Sequence, residues 1–161
     1  MAYPQQVLHV VGLLAREPLR STKAATYIDH TGVGRAVYDL FKQTRVSRLH
    51  PVTITGGKDI TRNGDGWHVS KTELIGKVQA LLHSQELTIE PKLADTAALV
   101  RELQDFRVSY STAGNAIFGA REGAHDGLVL AASLAIFGAT RAEPMMESGF
   151  QWIPGRGLTA A

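Results

Sequence analysis

The stretch Ala24-Ala25-Thr26-Tyr27-Ile28-Asp29-His30-Thr31-Gly32-Val33-Gly34-Arg35 constrains the fold of this chain more than any other. It reads as a short buried strand, a carboxylate at the strand's carboxyl end, and a Gly-rich turn into a helix. In open α/β sheets, ligands gather where strands end and helices begin, which places Asp29 within reach of a metal or polar substrate. The turn also offers helix N-terminal amides, which attract anions such as phosphate. The plainer alternative is that Asp29 or Thr31 caps the following helix. A second stretch, Gly123-Ala124-His125-Asp126-Gly127-Leu128-Val129-Leu130-Ala131, sets another acid at a helix start.

Around these stretches the chain alternates helix and strand signals. Residues 4–17 follow a helical period, with Val7, Val10, Val11 and Leu14 as an apolar stripe, Pro4 in the first turn and Pro18 as the stop. A strand over 24–29 leads to a helix over 33–43, which presents Val37, Leu40 and Phe41 to the core. Pro51 then precedes a strand, Val52-Thr53-Ile54-Thr55, closed by Gly56-Gly57. Strand, helix, strand implies a parallel pair with a right-handed crossover.

Residues 59–70 read as a hairpin turning at Asn63-Gly64-Asp65-Gly66. Trp67 just after the turn covers the site, stacks on a base, or packs the hairpin on the body. A helix over 71–84 comes next, capped by Ser70 or Thr72 and burying Leu74, Ile75, Val78, Leu81 and Leu82. Leu87-Thr88-Ile89 reads as a short strand stopped by Pro91. A helix over 94–106 turns Ala97, Ala98, Leu99, Leu103 and Phe106 inward, and a second hairpin spans 107–120. The last helix begins near His125, and its many alanines permit close approach to the sheet. The expected organisation is an α/β domain over residues 1–140 and an irregular tail over 141–161.

With 161 residues there is room for one domain with its own core. The absence of cysteine excludes disulfides and thiolate ligands. Any metal is therefore held by carboxylate, imidazole, carbonyl or water, a donor set that suits magnesium or manganese. The formal charge is only +2, but Arg35, Lys42, Arg45 and Arg48 cluster after the Gly-rich turn with Asp39 alone among them. Such a patch meets phosphates or is simply a solvated helix face. No secretory signal or membrane-spanning stretch is read, so a cytoplasmic protein is expected.

Several segments together resemble a known family. They are Tyr3-Pro4, Tyr27-Ile28-Asp29-His30-Thr31-Gly32-Val33-Gly34, Thr53-Ile54-Thr55-Gly56-Gly57, Val69-Ser70-Lys71-Thr72-Glu73-Leu74, Leu99-Val100-Arg101-Glu102-Leu103, Phe118-Gly119-Ala120-Arg121-Glu122-Gly123 and His125-Asp126-Gly127-Leu128-Val129-Leu130-Ala131. In this order they resemble the nuclease domain of phage large terminase subunits, over about residues 3 to 140. The resemblance implies an RNase H-like sheet flanked by helices. It also implies DNA as partner, cleavage with two divalent metal ions (Mg2+ or Mn2+), and a role in packaging viral genomes within a bacterial host cell. On it, Asp29 corresponds to the second metal-binding acid, and Asp126 falls in the motif that supplies the last one.

His125 becomes a further ligand, an orienting neighbour of Asp126, or a helix cap. Arg35, Lys42, Arg45 and Lys71 become candidate contacts to DNA phosphates, with solvated lysine and arginine as the plain alternative.

Three departures accompany the resemblance. The family domain opens with three antiparallel strands, the first bearing the leading catalytic aspartate, whereas this chain starts at the helix of residues 4–17. A sheet lacking those first three strands is therefore expected, with the edge of the 24–29 strand covered by the hairpin, the tail or a second copy, which would make a homo-oligomer. The family's last motif has paired aspartates, but Gly127 follows Asp126. No Gly-x-x-x-x-Gly-Lys-Ser/Thr loop occurs, so the family's ATPase half is not represented.

Two functions are left open: a metal-dependent DNA endonuclease domain, working or degenerate, and a non-catalytic DNA-binding or oligomeric scaffold, the remnant of a prophage gene. A nucleotide-phosphate cradle at Gly32-Val33-Gly34 is a third reading, but Val37 stands where that pattern needs glycine.

Overall fold

The computed structural model describes residues 2–44, 46–64, 66–110, 116–120, 126–141, 150–153 and 157–160. The chain divides into two compact units, one of residues 1–55 and 59–69, the other of residues 56–58 and 70–161.

In the first unit, helix α1 (Tyr3–Leu14) buries Val7 and half-buries Val10, Val11 and Leu14, the stripe expected from its period. It ends three residues before the expected stop. Pro18 has no amide to donate to the Leu14 carbonyl, so the hydrogen-bond ladder closes there. The next residues form turns, in which the Glu17 carboxylate accepts from Arg20 Nε (2.8 Å) and Ser21 N (3.1 Å).

Strand β1 (Thr26–Asp29) runs parallel to β2 (Leu49–Thr55), with Asp29 opposite Val52 and helix α2 (Gly34–Lys42) between them in the chain. Strands β3 (Ile60–Asn63) and β4 (Gly66–Ser70) form the expected antiparallel hairpin, with Asn63 opposite Gly66. Gly64 at its tip has φ +56°, a conformation that glycine adopts without penalty. The four strands make one sheet in the order β1-β2-β4-β3. Val7, Phe41, Pro51, Val52 and Val69 are the buried apolar side chains of this unit among the described residues.

Pro51 lies inside β2, opposite Ile28, and not before the strand as its missing amide suggested. The neighbouring strand accommodates the ring through Gly66, where an added Cβ would stand 3.1 Å from both Pro51 Cγ and Pro51 O. The β3–β4 hairpin joins the sheet through β4, beside β2. It therefore does not cover β1, which is an edge strand of this sheet among the described residues.

In the second unit, helix α3 (Lys71–His83) starts at Ser70, whose Oγ accepts from Glu73 N at 3.1 Å, one of the two caps expected. Leu74, Ile75 and Val78 are buried, whereas Leu81 and Leu82 are half-buried. Residues 87–89 are not a strand. Gln85 ends the helix at φ +60°, and the Leu87 amide donates back to Leu81 O at 3.0 Å, so that segment's hydrogen-bonding belongs to the helix end.

Helix α4 (Thr96–Asp105) half-buries Ala98, Leu99 and Leu103, but Ala97 is exposed. Strands β5 (Phe106–Tyr110) and β6 (Ala116–Ala120) form the second antiparallel hairpin.

Helix α5 (Gly127–Arg141) packs on α3 and α4, burying Val129, Ser133, Leu134, Phe137 and Gly138. Its close-packing face is thus made by Ser133 and Gly138, while Ala131, Ala135 and Ala139 point to solvent. The buried Ser133 hydroxyl donates to Val129 O at 2.6 Å, which removes the cost of burying it. Within the segment read as irregular, β7 (Phe150–Ile153) and β8 (Gly157–Ala160) pair antiparallel.

Candidate functional site

Asp29 closes β1, half-buried, where the strand turns toward α2. Its Oδ1 accepts from Thr31 N at 2.8 Å, so the carboxylate is fixed by the turn just beyond it. The turn is tied in its own right to β2: Thr31 Oγ1 accepts from Ile54 N at 2.9 Å, and His30 N donates to Val52 O at 2.7 Å. The two glycines have different duties. Gly32 has φ +55° with open space around its Cα, so its role is conformational. Gly34 has an ordinary φ, but a Cβ there would overlap the Asp29 carbonyl. The helix starts in direct backbone contact with the strand's last residue, and only glycine permits that approach.

Two expectations for this turn are corrected. Neither Asp29 nor Thr31 caps α2; Val33 stands at its N-cap, without a side-chain bond. The first amides are not left for an anion, because Gly34, Arg35 and Ala36 donate to Thr31 O (3.0 Å), Gly32 O (3.3 Å) and Val33 O (3.1 Å). The tight i→i+3 turn consumes the donors that a phosphate cradle would need.

The basic cluster is partly engaged with the protein itself. Arg35 is exposed on the first turn of α2. Lys42 Nζ lies 2.7 Å from Asp39 Oδ1 one turn earlier, and 5.1 Å from the Tyr38 ring centre. The Lys42 hydrogen bond and charge hold the Asp39 carboxyl below its ordinary range, and Asp39 raises Lys42 in return. Both groups are exposed, so the pair contributes little to stability. Arg48 Nη1 donates to Lys23 O at 3.0 Å. Arg45 and His125 lie outside the described residues.

Close by, Tyr27 stacks on His50 at 4.8 Å between ring centres. Burial, then the charges of Arg48 and Arg62, hold the His50 imidazole below its ordinary pKa. Trp67 carries the Arg62 guanidinium 5.4 Å above its ring. A cleft of about 230 Å³ is lined by His30, Pro51, Thr53, Asn63, Gly66, Trp67 and His68.

In the second unit, Asp126 precedes α5, and its carbonyl accepts from Leu130 N at 2.9 Å. Its carboxylate is not free for solvent alone: Lys71 Nζ lies 2.9 Å from Asp126 Oδ2, with 26% and 30% of the two side chains exposed. Lys71, expected to reach DNA, is thus held within its own fold, its ammonium also 5.6 Å from the Phe106 ring centre.

Glu102 on α4 was not anticipated as a functional residue. Its Oε2 accepts from Leu128 N (2.8 Å) and Val129 N (3.2 Å), capping α5 from another helix. Sequence reading looks for caps within a few residues of a helix start, and this acid lies 26 residues earlier. Its place inside Leu99-Val100-Arg101-Glu102-Leu103 was the sole signal. Because Glu102 does the capping, Asp126 directs its carboxylate to Lys71.

Among the described residues, no three His, Asp or Glu side chains gather as metal ligands. With Asp126 already facing an ammonium, the described acids do not by themselves fit a two-metal centre.

The α/β architecture, with its acid at the β1 end and its strand-turn-helix junction, is similar in fold to the nuclease of a phage large terminase. Two crystal structures carry this likeness, both of the large terminase nuclease from the thermophilic phage G20c. One, with bound cobalt, matches at TM-score 0.63 and 19% identity over 85% of this chain. Another matches at TM-score 0.66 and 18% identity over 89% of it. This chain spans 62% and 64% of the length of those two structures. No protein-family model matches the sequence, and no curated protein matches it. No helix among the described residues is long and apolar enough to cross a membrane.

Proposed function

We propose that this chain is a nuclease-like domain of a phage DNA-packaging terminase, acting on DNA in the cytoplasm of a bacterial host. The observation that carries this reading is the likeness of fold to two large terminase nuclease structures over 85% and 89% of the chain. The sequence motifs around Asp29 and Asp126 support it from an independent direction. On this reading Asp29 is an acid that meets divalent cations, magnesium or manganese, and Asp126, with His125 beside it, is the second acid position for them, where the ion competes with Lys71. Arg35, Lys42 and Arg45 contact phosphates, and Lys71 serves Asp126 instead of DNA. An edge strand such as β1 is a site where a second copy can add, so a homo-oligomer formed through it belongs to the same proposal. Sedimentation across a concentration series tests that part, and a mass that stays monomeric refutes it.

A second reading, a DNA-binding scaffold that does not cut, is favoured by the Lys71–Asp126 ion pair, which neutralises one of the two acids. Plasmid cleavage with manganese or magnesium separates the readings. A working nuclease loses cleavage in both Asp29→Ala and Asp126→Ala. A scaffold retards DNA without cutting it, in wild type as in both variants. Folded protein that neither cuts nor binds DNA overturns both.

A further inference from the structure

We propose that the Lys71 ammonium is a built-in counter-ion at Asp126, occupying the cation position so that a divalent ion is held there only once the ammonium is removed. The geometry around the pair is specific. Ser70, fully buried and hydrogen-bonded to Glu73 N, anchors the backbone from which Lys71 projects. The Phe106 ring lies within cation–π distance of the same ammonium. On the other side, Glu102 satisfies Leu128 N and Val129 N, which spares the Asp126 carboxylate the capping duty that an acid before a helix ordinarily takes. The carboxylate is therefore available to a cation, and the cation it meets is a lysine 55 residues away in the sequence.

Charge and coordination set how a metal ion fares beside this pair. An ammonium brings one charge and three donors, enough for a carboxylate but with no capacity to bind a substrate oxygen. A divalent ion on the same carboxylate would stand beside that ammonium, and two positive groups a few ångströms apart repel. With about a quarter to a third of each side chain exposed, the pair is screened less than a fully exposed one. Lys71 thus lowers the divalent affinity of Asp126.

This inference rests on the reading of Asp126 as a metal-facing acid, but its test uses manganese alone, without DNA or cleavage. Manganese binding is measured by calorimetry on wild type and on the Lys71→Met, Lys71→Arg and Lys71→Met/Asp126→Asn variants, each checked for folding by circular dichroism. Lys71→Met, which keeps the aliphatic stem, is expected to bind manganese roughly tenfold more tightly than wild type. Lys71→Arg should match wild type, and the double variant should lose the gain. Equal affinity in wild type and Lys71→Met, or a gain that survives Asp126→Asn, overturns the proposal.

Should Lys71→Met fail to fold, wild type and Asp126→Asn decide it. Their manganese affinities are expected to differ by less than about threefold, and a larger loss means that Asp126 already binds metal with Lys71 present. DNA retardation of the same samples in chelator reports separately on the proposed function.

Discussion

Gly34 and Gly32 lie two positions apart and fail in different ways when altered. An alanine at Gly34 drives its Cβ into the Asp29 carbonyl, so strand end and helix start must move apart. An alanine at Gly32 meets no atom but must hold a left-handed φ. Gly32→Ala is expected to cost about 1 kcal/mol and Gly34→Ala about 2–3 kcal/mol, both read from urea denaturation. The reverse order would contradict the close approach. The glycine motif is legible in the sequence, but its reason is not: the pattern gives the turn, and only the backbone of Asp29 shows why the second glycine is needed.

His50 makes a second prediction at this scale. Its folded pKa lies below the ordinary 6.5 because burial, then Arg48 and Arg62, disfavour the charged ring. As pH falls through the ordinary value, the unfolded chain takes up a proton that the folded chain resists, so stability drops until the lower folded pKa is passed. Between about pH 7.5 and 5.5 the melting temperature should fall, and His50→Gln should lessen that fall. An identical fall in the variant would remove His50 as the cause.

At the scale of elements, the cap of α5 shows how far local pattern reaches. The helical periods of α1, α3 and α5 and the turn of the β3–β4 hairpin can be read from a few neighbouring residues. Residues 87–89 cannot, because the Leu87 amide serves the end of α3. Nor can the inward face of α5, where packing on α3 and α4 selects Ser133 and Gly138 over the alanines. Glu102 is the strongest case, since two amides of α5 depend on an acid from α4. Glu102→Ala is expected to destabilise the protein by about 1–2 kcal/mol. Glu102→Gln, which keeps an acceptor oxygen, should cost less. The same loss from both, measured by thermal or urea unfolding, would mean that the carboxylate oxygen is not the cap.

For the molecule as a whole, the order of motifs along the chain anticipated the fold, and the distant matches of structure bear it out. The candidate site was less legible. Asp29 stands at the strand end as expected, but the pairing of Lys71 with Asp126 spans 55 residues and leaves no trace in local sequence. DNA binding, where it occurs, should weaken with salt. Reversing Arg35 and removing Lys42 should each make the slope of log affinity against log salt shallower by about 1. An unchanged slope would clear α2 of phosphate contact.

The cap supplied by Glu102 has a consequence for substitution nearby. Position 126 owes nothing to the integrity of α5, because another helix carries that duty. Substitution of the side chain at 126, or of the lysine at 71, therefore leaves the helix's cap in place. The charge at this helix start is thus separable from the helix's stability, whereas the acceptor that Glu102 supplies is not.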